Sequence, residues 1–141
     1  MSVKQVSVLV ENENGKLAET TRFLAQNGIN LRALSIADTE NFGILRVIVD
    51  EPEEALRVLK EGGYITKLTE VLAVSIEDAP GALSRILTVI AEADVKVEYT
   101  YAFLGTRAKG AYMIFRVDNI EKTSQVLAAA GIKIAEQTEM F

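Results

Sequence analysis

Val71-Leu72-Ala73-Val74-Ser75-Ile76-Glu77-Asp78-Ala79-Pro80-Gly81-Ala82-Leu83 is the stretch on which the fold turns. Its first seven residues are largely apolar and predict a strand over 71–77. Asp78-Ala79-Pro80-Gly81 is turn chemistry. Beyond it Leu83, Ile86, Leu87 and Ile90 recur at helical spacing and mark one apolar face. The chain thus passes from strand to turn to helix within a few residues. An offset of 66 residues towards the N-terminus finds the same passage. Val3 to Glu11 alternates, with Val6, Val8 and Val10 on one face and Ser7 and Leu9 on the other. Asn12-Glu13-Asn14-Gly15 is a turn containing N-cap candidates, and Lys16 to Asn27 follows with Leu17, Thr21, Leu24 and Ala25 at helical spacing.

Each passage continues in the same way. In the first half Asn27-Gly28 ends the helix, Ile29 to Ala37 is a strand, Glu40-Asn41 reverses the chain and Phe42 to Val49 is a strand. Asp50-Glu51-Pro52 opens a second helix with Pro52 near its first position and acids in its first turn. Ala55, Leu56, Val58 and Leu59 give that helix its apolar face, Gly62-Gly63 ends it, and Tyr64 to Leu68 is a fourth strand. In the second half the expected elements are a strand over Val95 to Phe103, a hairpin loop over Leu104 to Lys109 and a strand over Gly110 to Val117. A helix over Asp118 to Ala130, stopped by Gly131, and a strand over Ile132 to Gln137 complete it.

Two β-α-β-β-α-β strings therefore stand in tandem. Val8, Glu11, Gly15, Leu17 and Ala25 fall on Val74, Glu77, Gly81, Leu83 and Ala91. After the hairpin the offset becomes 68, and Val49, Asp50, Val58, Leu59 and Gly63 fall on Val117, Asp118, Val126, Leu127 and Gly131. The two extra residues sit in the second hairpin, where insertions are tolerated. The coincidence of Gly15 with Gly81, Asp50 with Asp118 and Gly63 with Gly131 marks an internal duplication. The expected class is α+β: two ferredoxin-like units, residues 1–69 and 70–141, each a four-stranded antiparallel sheet with two helices on one face. Only Thr69 and Glu70 join the copies, so their relative placement is expected to be constrained.

Composition narrows what such units do. The chain has 141 residues, is 49% hydrophobic and carries a net charge of −5, with a pI near 4.8. Nucleic-acid partners and anionic membrane surfaces call for a basic field, so neither is expected. With no cysteine and no histidine there is no disulfide, no Cys or His metal site and no nucleophile–base pair built on either residue. No signal peptide is read at the N-terminus and no apolar run is long enough to cross a bilayer, so the expected location is cytoplasmic. No cofactor is expected. Phe42-Gly43-Ile44 and Tyr112-Met113-Ile114-Phe115 do not match the aromatic motif of RNA-recognition sheets.

Asp78-Ala79-Pro80-Gly81-Ala82-Leu83 resembles the D-x-P-G-x-L signature of ACT domains, small regulatory modules that bind amino acids in metabolic enzymes. Asn12-Glu13-Asn14-Gly15-Lys16-Leu17 keeps the Gly and Leu of that signature and lacks the Pro. Gly28-Ile29-Asn30-Leu31 is similar to the start of an ACT second strand, whereas the second copy reads Asp94-Val95-Lys96-Val97. Val97-Glu98-Tyr99-Thr100-Tyr101-Ala102-Phe103 resembles a strand of stand-alone tandem ACT proteins, and the similarity covers nearly the whole chain. The resemblance implies a ligand lying between the turn of one unit and the second strand of its neighbour. Asn12, Asn14, Gly15, Leu17, Asn30, Asp78, Pro80, Gly81, Ala82, Leu83 and Lys96 are then the candidate ligand-binding residues.

Physical chemistry supports such a turn as an anion-friendly place, because free amides and the positive end of a helix dipole meet there. Gly15 and Gly81 permit close approach of a ligand. Asn12 and Asp78 can accept from an ammonium group; Asn30 can bond either end of a zwitterion, and Lys96 only its carboxylate. Each also has a structural reading: Asn12 and Asp78 as N-caps, Leu17 and Leu83 as core, Tyr99, Tyr101 and Phe103 as an aromatic row along one strand face. Arg107 and Lys109 read as a solvated loop. The turn of copy two facing Asn30 of copy one is the favoured pairing.

The functional expectation is a non-enzymatic regulatory protein that binds an amino acid at the junction of two units, as a homodimer whose output is read by another protein such as a metabolic enzyme. The alternative is a structural regulatory subunit that assembles with an enzyme and whose ligand site is degenerate. An acylphosphatase-like hydrolase is disfavoured, because neither turn carries an Arg and both are acidic.

Overall fold

The structure, a computed structural model, describes residues 2–38, 40–104 and 111–140. The chain divides into two compact units, one of Lys4–Thr69 and one of Glu70–Phe141 together with Met1–Val3. The elements of the first are β1 (Val3–Glu11), α1 (Lys16–Gln26), β2 (Leu31–Asp38), β3 (Phe42–Val49) and α2 (Pro52–Glu61). One uninterrupted strand, β4 (Thr66–Ile76), ends the first unit's set and begins the second's. The second continues with α3 (Ala82–Glu92), β5 (Val97–Leu104), β6 (Ala111–Val117), α4 (Ile120–Ala129) and the two-residue β7 (Ile134–Ala135).

Strand order in the first unit is β2-β3-β1-β4, and in the second β5-β6-β4-β7. Numbered within each copy, both orders are 2-3-1-4, as expected of a ferredoxin-like unit. Registers repeat as well. Val8 sits opposite Leu45 on β3, and its counterpart Val74 sits opposite Met113 on β6. Both second strands carry a one-residue irregularity at the same place, between Leu31 and Ala33 and between Val97 and Tyr99. Such a bulge moves the following side chains to the other face. Ala33 therefore pairs with Ile48 while Leu34 pairs with Val47, and Tyr99 pairs with Arg116.

Both helices of each unit cover one sheet face, because that face carries the alternating apolar residues. Val6, Val8, Val10, Leu45, Val47 and Val49 meet Leu24 of α1 and Ala55 and Leu59 of α2 in one buried cluster. Leu72, Val74, Phe115 and Val117 meet Ile86 and Ile90 of α3 and Leu127 of α4 in the other. Burying a side chain such as Leu24 or Leu127 contributes about 1.5–3 kcal/mol, and each cluster holds enough of them to fix its sheet register. Two buried hydroxyls, Thr20 and Thr123, donate back to Lys16 O at 2.9 Å and Asn119 O at 2.6 Å, which settles their polarity inside the helix.

Several boundaries differ from the sequence expectation. β2 begins at Leu31 and β5 at Val97, so Asn30 and Lys96 precede their strands. The expected strands 64–68 and 71–77 are one strand, because no turn residue separates them. Helix α4 begins at Ile120 because the Asn119 side chain accepts from Lys122 N at 3.0 Å and fixes the start there. The expected last strand over Ile132 to Gln137 is reduced to Ile134–Ala135 and followed by a 3-10 turn, Gln137–Glu139, where the sequence becomes polar. The expected hairpin loop, with Arg107 and Lys109, falls outside the described residues beyond Leu104.

Candidate functional site

The two β-to-α turns are built identically. In the first, Glu13 N donates to Glu11 O (2.9 Å), Lys16 N to Glu13 O (3.2 Å) and Glu19 N to Gly15 O (3.0 Å). In the second, Ala79 N donates to Glu77 O (3.0 Å), Ala82 N to Ala79 O (3.2 Å) and Arg85 N to Gly81 O (2.9 Å). The helices are capped by Gly15 and Gly81, in the left-handed region at φ 87°, with no side-chain cap bond. This corrects the capping roles expected of Asn12 and Asp78. A glycine that reverses the chain at φ > 0 takes the cap position, where an asparagine or aspartate in extended backbone would otherwise stand. Asn12 instead donates from Nδ2 to Glu40 O at 3.5 Å, while its amide donates to Asn41 O at 3.0 Å. The first amide of each helix, at Lys16 and Ala82, is thus taken up inside its own turn, and no side chain caps the amides that follow it.

Around these turns the two copies differ in charge. A cleft of about 220 Å³ opens between the first turn and β2, lined among others by Asn12, Glu13, Leu17, Ile36, Asp38 and Gly43. It is acidic. Lys16 sits beside it, 3.4 Å from Glu19, and its ammonium is raised above its ordinary pKa by Glu19 first and then by Glu11 and Glu13. A second cleft lies on the other side of each first helix, against the turn that ends the second helix. It measures about 280 Å³ in copy one, with Lys16, Glu19 and Tyr64 on its wall, and about 260 Å³ in copy two, with Arg85, Glu77 and Lys133.

The candidate residues separate into two groups within each unit. Asn12, Asn14, Gly15 and Leu17 lie at the sheet end where Glu11 pairs with Phe42. Asn30 lies at the other end, just before Leu31 pairs with Val49. Asp78, Pro80, Gly81, Ala82 and Leu83 likewise follow Ile76, which pairs with Ala111, while Lys96 precedes the Val97–Val117 pair. Six or seven strand residues, about 20 Å at ~3.3 Å each, separate the groups. No single unit brings its turn and its own Asn30 or Lys96 into one site. Leu83 packs partly buried against the second core, whereas Leu17 is 38% exposed, so the core reading of Leu17 is corrected. Residue 17 sits at the rim of the first helix, where the edge of the sheet leaves it uncovered. Tyr99 and Tyr101 stack with ring centroids 6.5 Å apart, and Phe103 turns instead to Tyr112 at 5.8 Å.

Asp50 and Asp118 occupy matched positions, and the structure supplies the reason. Asp118 Oδ1 accepts from Lys96 N at 3.1 Å and Asp118 N donates to Lys96 O at 3.2 Å. Asp50 grips the corresponding segment through Arg32, whose Nε and Nη2 donate to its two carboxylate oxygens at 2.8 and 3.2 Å. Each aspartate therefore anchors the entry to a second strand, where Asn30 and Lys96 stand. The repeat of Asp at offset 68 was the available signal for this role. Among the described residues no group of three or more acidic side chains is arranged to hold a metal ion, and no helix is long and apolar enough to cross a membrane.

A family model described as an ACT domain pair matches residues 1–141. The chain belongs to that family. The crystal structure of protein BT0572 from Bacteroides thetaiotaomicron is similar to this ACT pair at 35% identity and a TM-score of 0.90, covering 99% of this chain and 96% of that one. The ligand-free regulatory subunit of aspartate kinase from Thermus thermophilus shares the fold at 17% identity and a TM-score of 0.63, covering 91% and 90% of the two chains. The acetolactate synthase small subunit of Buchnera aphidicola is 30% identical over 79 residues, 55% of this chain and 50% of that protein. The ACT pair thus matches about half the length of that curated relative.

Proposed function

We propose that this ACT pair is a non-catalytic regulatory module that binds an amino acid where the turn of one unit meets the entry to the second strand of another. The observation that carries the reading is the turn built twice with a glycine cap, each leading into a helix start that no side chain caps and that suits a carboxylate. The opposite placement of turn and Asn30 within a unit supports a site shared between two units. The acids around the first turn suit the ammonium end of a zwitterion, and Asn30 suits either end. Pro80 and Gly81 shape the second turn, and Lys96 offers a carboxylate partner at the entry to β5.

Identity to an acetolactate synthase small subunit and likeness to an aspartate kinase regulatory subunit support an output read by a biosynthetic enzyme. Differential binding to two association states would transmit the signal. Calorimetry of the purified chain against each of the common amino acids tests the reading. We expect heat and a raised melting temperature with at least one of them, both lost in Gly81→Val or Asn30→Ala. Silence with all of them favours the second reading, a purely structural subunit, which the missing Pro of copy one and the Lys at position 96 support.

A further inference from the structure

The cleft of about 280 Å³ between α1 and the turn that ends α2 lies wholly within the first unit, and the shared amino-acid site makes no use of it. Its wall is apolar where a surface is usually polar. Phe42 and Ile65, which line it, are 43% and 70% exposed, and Leu9 and Tyr64 extend the apolar side. Leu9 and Ile65 also line an adjoining groove of about 230 Å³, together with Val8, Ile44 and Lys67. The two hollows thus share one apolar wall, the kind of exposed patch that marks a place of binding.

Charge decides what such a wall would take. Among the described residues the charged lining of the cleft is Glu11, Glu19 and Lys16. Lys16 is already engaged: it lies 3.4 Å from Glu19, and Glu19 first, then Glu11 and Glu13, raise its ammonium above its ordinary pKa. Two carboxylates against one cation leave a surplus of negative charge. An incoming carboxylate would compete with Glu11 and Glu19 for Lys16, whereas an incoming ammonium finds net attraction. Aromatic rings such as Phe42 and Tyr64 also attract a cation over their faces. The adjoining groove carries Lys67, which disfavours a second cationic group there.

Copy two keeps the hollow and loses this chemistry. Its equivalent cleft measures about 260 Å³. Ser75 stands for Leu9, Ile132 for Tyr64, Lys133 for Ile65 and Arg85 for Glu19. The aromatic ring at that place is gone and the sign of the charge is reversed, with Arg85 and Lys133 against Glu77. The fold therefore does not require an apolar, acidic wall here, and the first copy carries one beyond what folding demands.

We propose that this cleft of the first unit binds a small monoamine with an apolar body, its ammonium against Glu11 and Glu19 and its body on Leu9, Tyr64 and Ile65. The site is separate from the turn-to-strand site and stands without it.

Phenethylamine, phenylpropionate and the diamine putrescine are the probes, each titrated into the nitrogen-15-labelled full chain. Phenethylamine is expected to shift the amides of Tyr64 and Ile65 with a Kd on the order of 1 mM, as its size allows. The other two are expected to bind at least ~10-fold more weakly. Glu19→Arg and Ile65→Lys install the residues of copy two at exposed positions. Each is expected to weaken phenethylamine at least ~10-fold with an unchanged circular dichroism spectrum. Lys16→Gln is expected to tighten it at least ~2-fold, because a competing cation is removed. No shift at Tyr64 and Ile65, equal binding of either comparison probe, indifference to Glu19→Arg and Ile65→Lys, or weaker binding in Lys16→Gln overturns the proposal. Phenethylamine has no carboxylate, so its silence leaves the amino-acid site standing, and silence of the amino acids leaves this cleft standing.

Discussion

A Cβ at residue 62 would lie 2.5 Å from Cζ of Phe23, whose ring rests 5.1 Å from that of Tyr64. At the matching positions of the second copy Val89 replaces Phe23 and Ala130 replaces Gly62, and both pack partly buried on the second core. Gly62→Ala is therefore expected to destabilise the protein by about 1–3 kcal/mol through overpacking. Adding Phe23→Val should recover much of that loss, and a double-mutant cycle by urea denaturation would expose a coupling of at least ~0.5 kcal/mol. Additive effects would mean that the ring moves aside freely. Gly81 makes a different demand. It stands at φ 87° with open space where a side chain would go, so Gly81→Ala meets no clash but a left-handed backbone, at a cost of about 1–2 kcal/mol. Gly81→Asn should cost less, since asparagine tolerates that region. An equal loss for the two variants would point to something other than backbone conformation.

At the level of elements, Asp118 closes a ring with residue 96 that starts β5. Asp118→Ala is expected to cost about 1 kcal/mol and to lower amide-exchange protection at residue 96, while Asp118→Asn keeps an acceptor and most of the stability. Helix α2 carries a pH signature. Glu53 is held below the usual glutamate range by its hydrogen bond to Lys4, and Glu54 by that to Arg57, which also holds Glu61. A carboxyl with a depressed folded pKa stabilises above its unfolded value of 4.5 and loses that contribution as pH falls through the folded one. Carbon-13 titration should find both midpoints below 4.5, rising towards it in high salt because both pairs are exposed. Unshifted midpoints at low salt would remove these pairs from solution. Helices and strand order were legible in the chain because apolar period and Gly punctuation agree over long stretches. The bulges after Leu31 and Val97 were not, since a bulge adds a residue without changing composition. Nor was the glycine cap, because Asn12 and Asp78 have the stronger intrinsic preference for that role, and only the backbone angle at Gly15 and Gly81 decides against them. The candidate site was legible as two sets of residues but not as a place. Its halves lie at opposite sheet ends, and period alone does not reveal which end a residue occupies.

Across the whole molecule, the large apolar side chains left open among the described residues lie in the first copy: Leu17, Leu34, Ile36, Phe42 and Ile65. Ile65 is replaced in the second copy by Lys133, as Leu34 and Ile36 are by Thr100 and Ala102. Ligand and assembly are expected to be linked, because half of the proposed amino-acid site comes from another unit. Any amino acid that raises the melting temperature should also shift the monomer–dimer balance measured by sedimentation, and dilution should weaken its affinity by the same factor. A ligand that raises the melting temperature and leaves the balance untouched would place its site within one chain. The exchange of Phe23 and Gly62 for Val89 and Ala130 has a further consequence, for heredity. Tandem copies within a gene can recombine with each other, and a crossover whose breakpoint falls between the two codons would join Phe to Ala or Val to Gly. One product is overfilled and the other leaves a hole. The contact would therefore oppose homogenisation of the two halves of the gene.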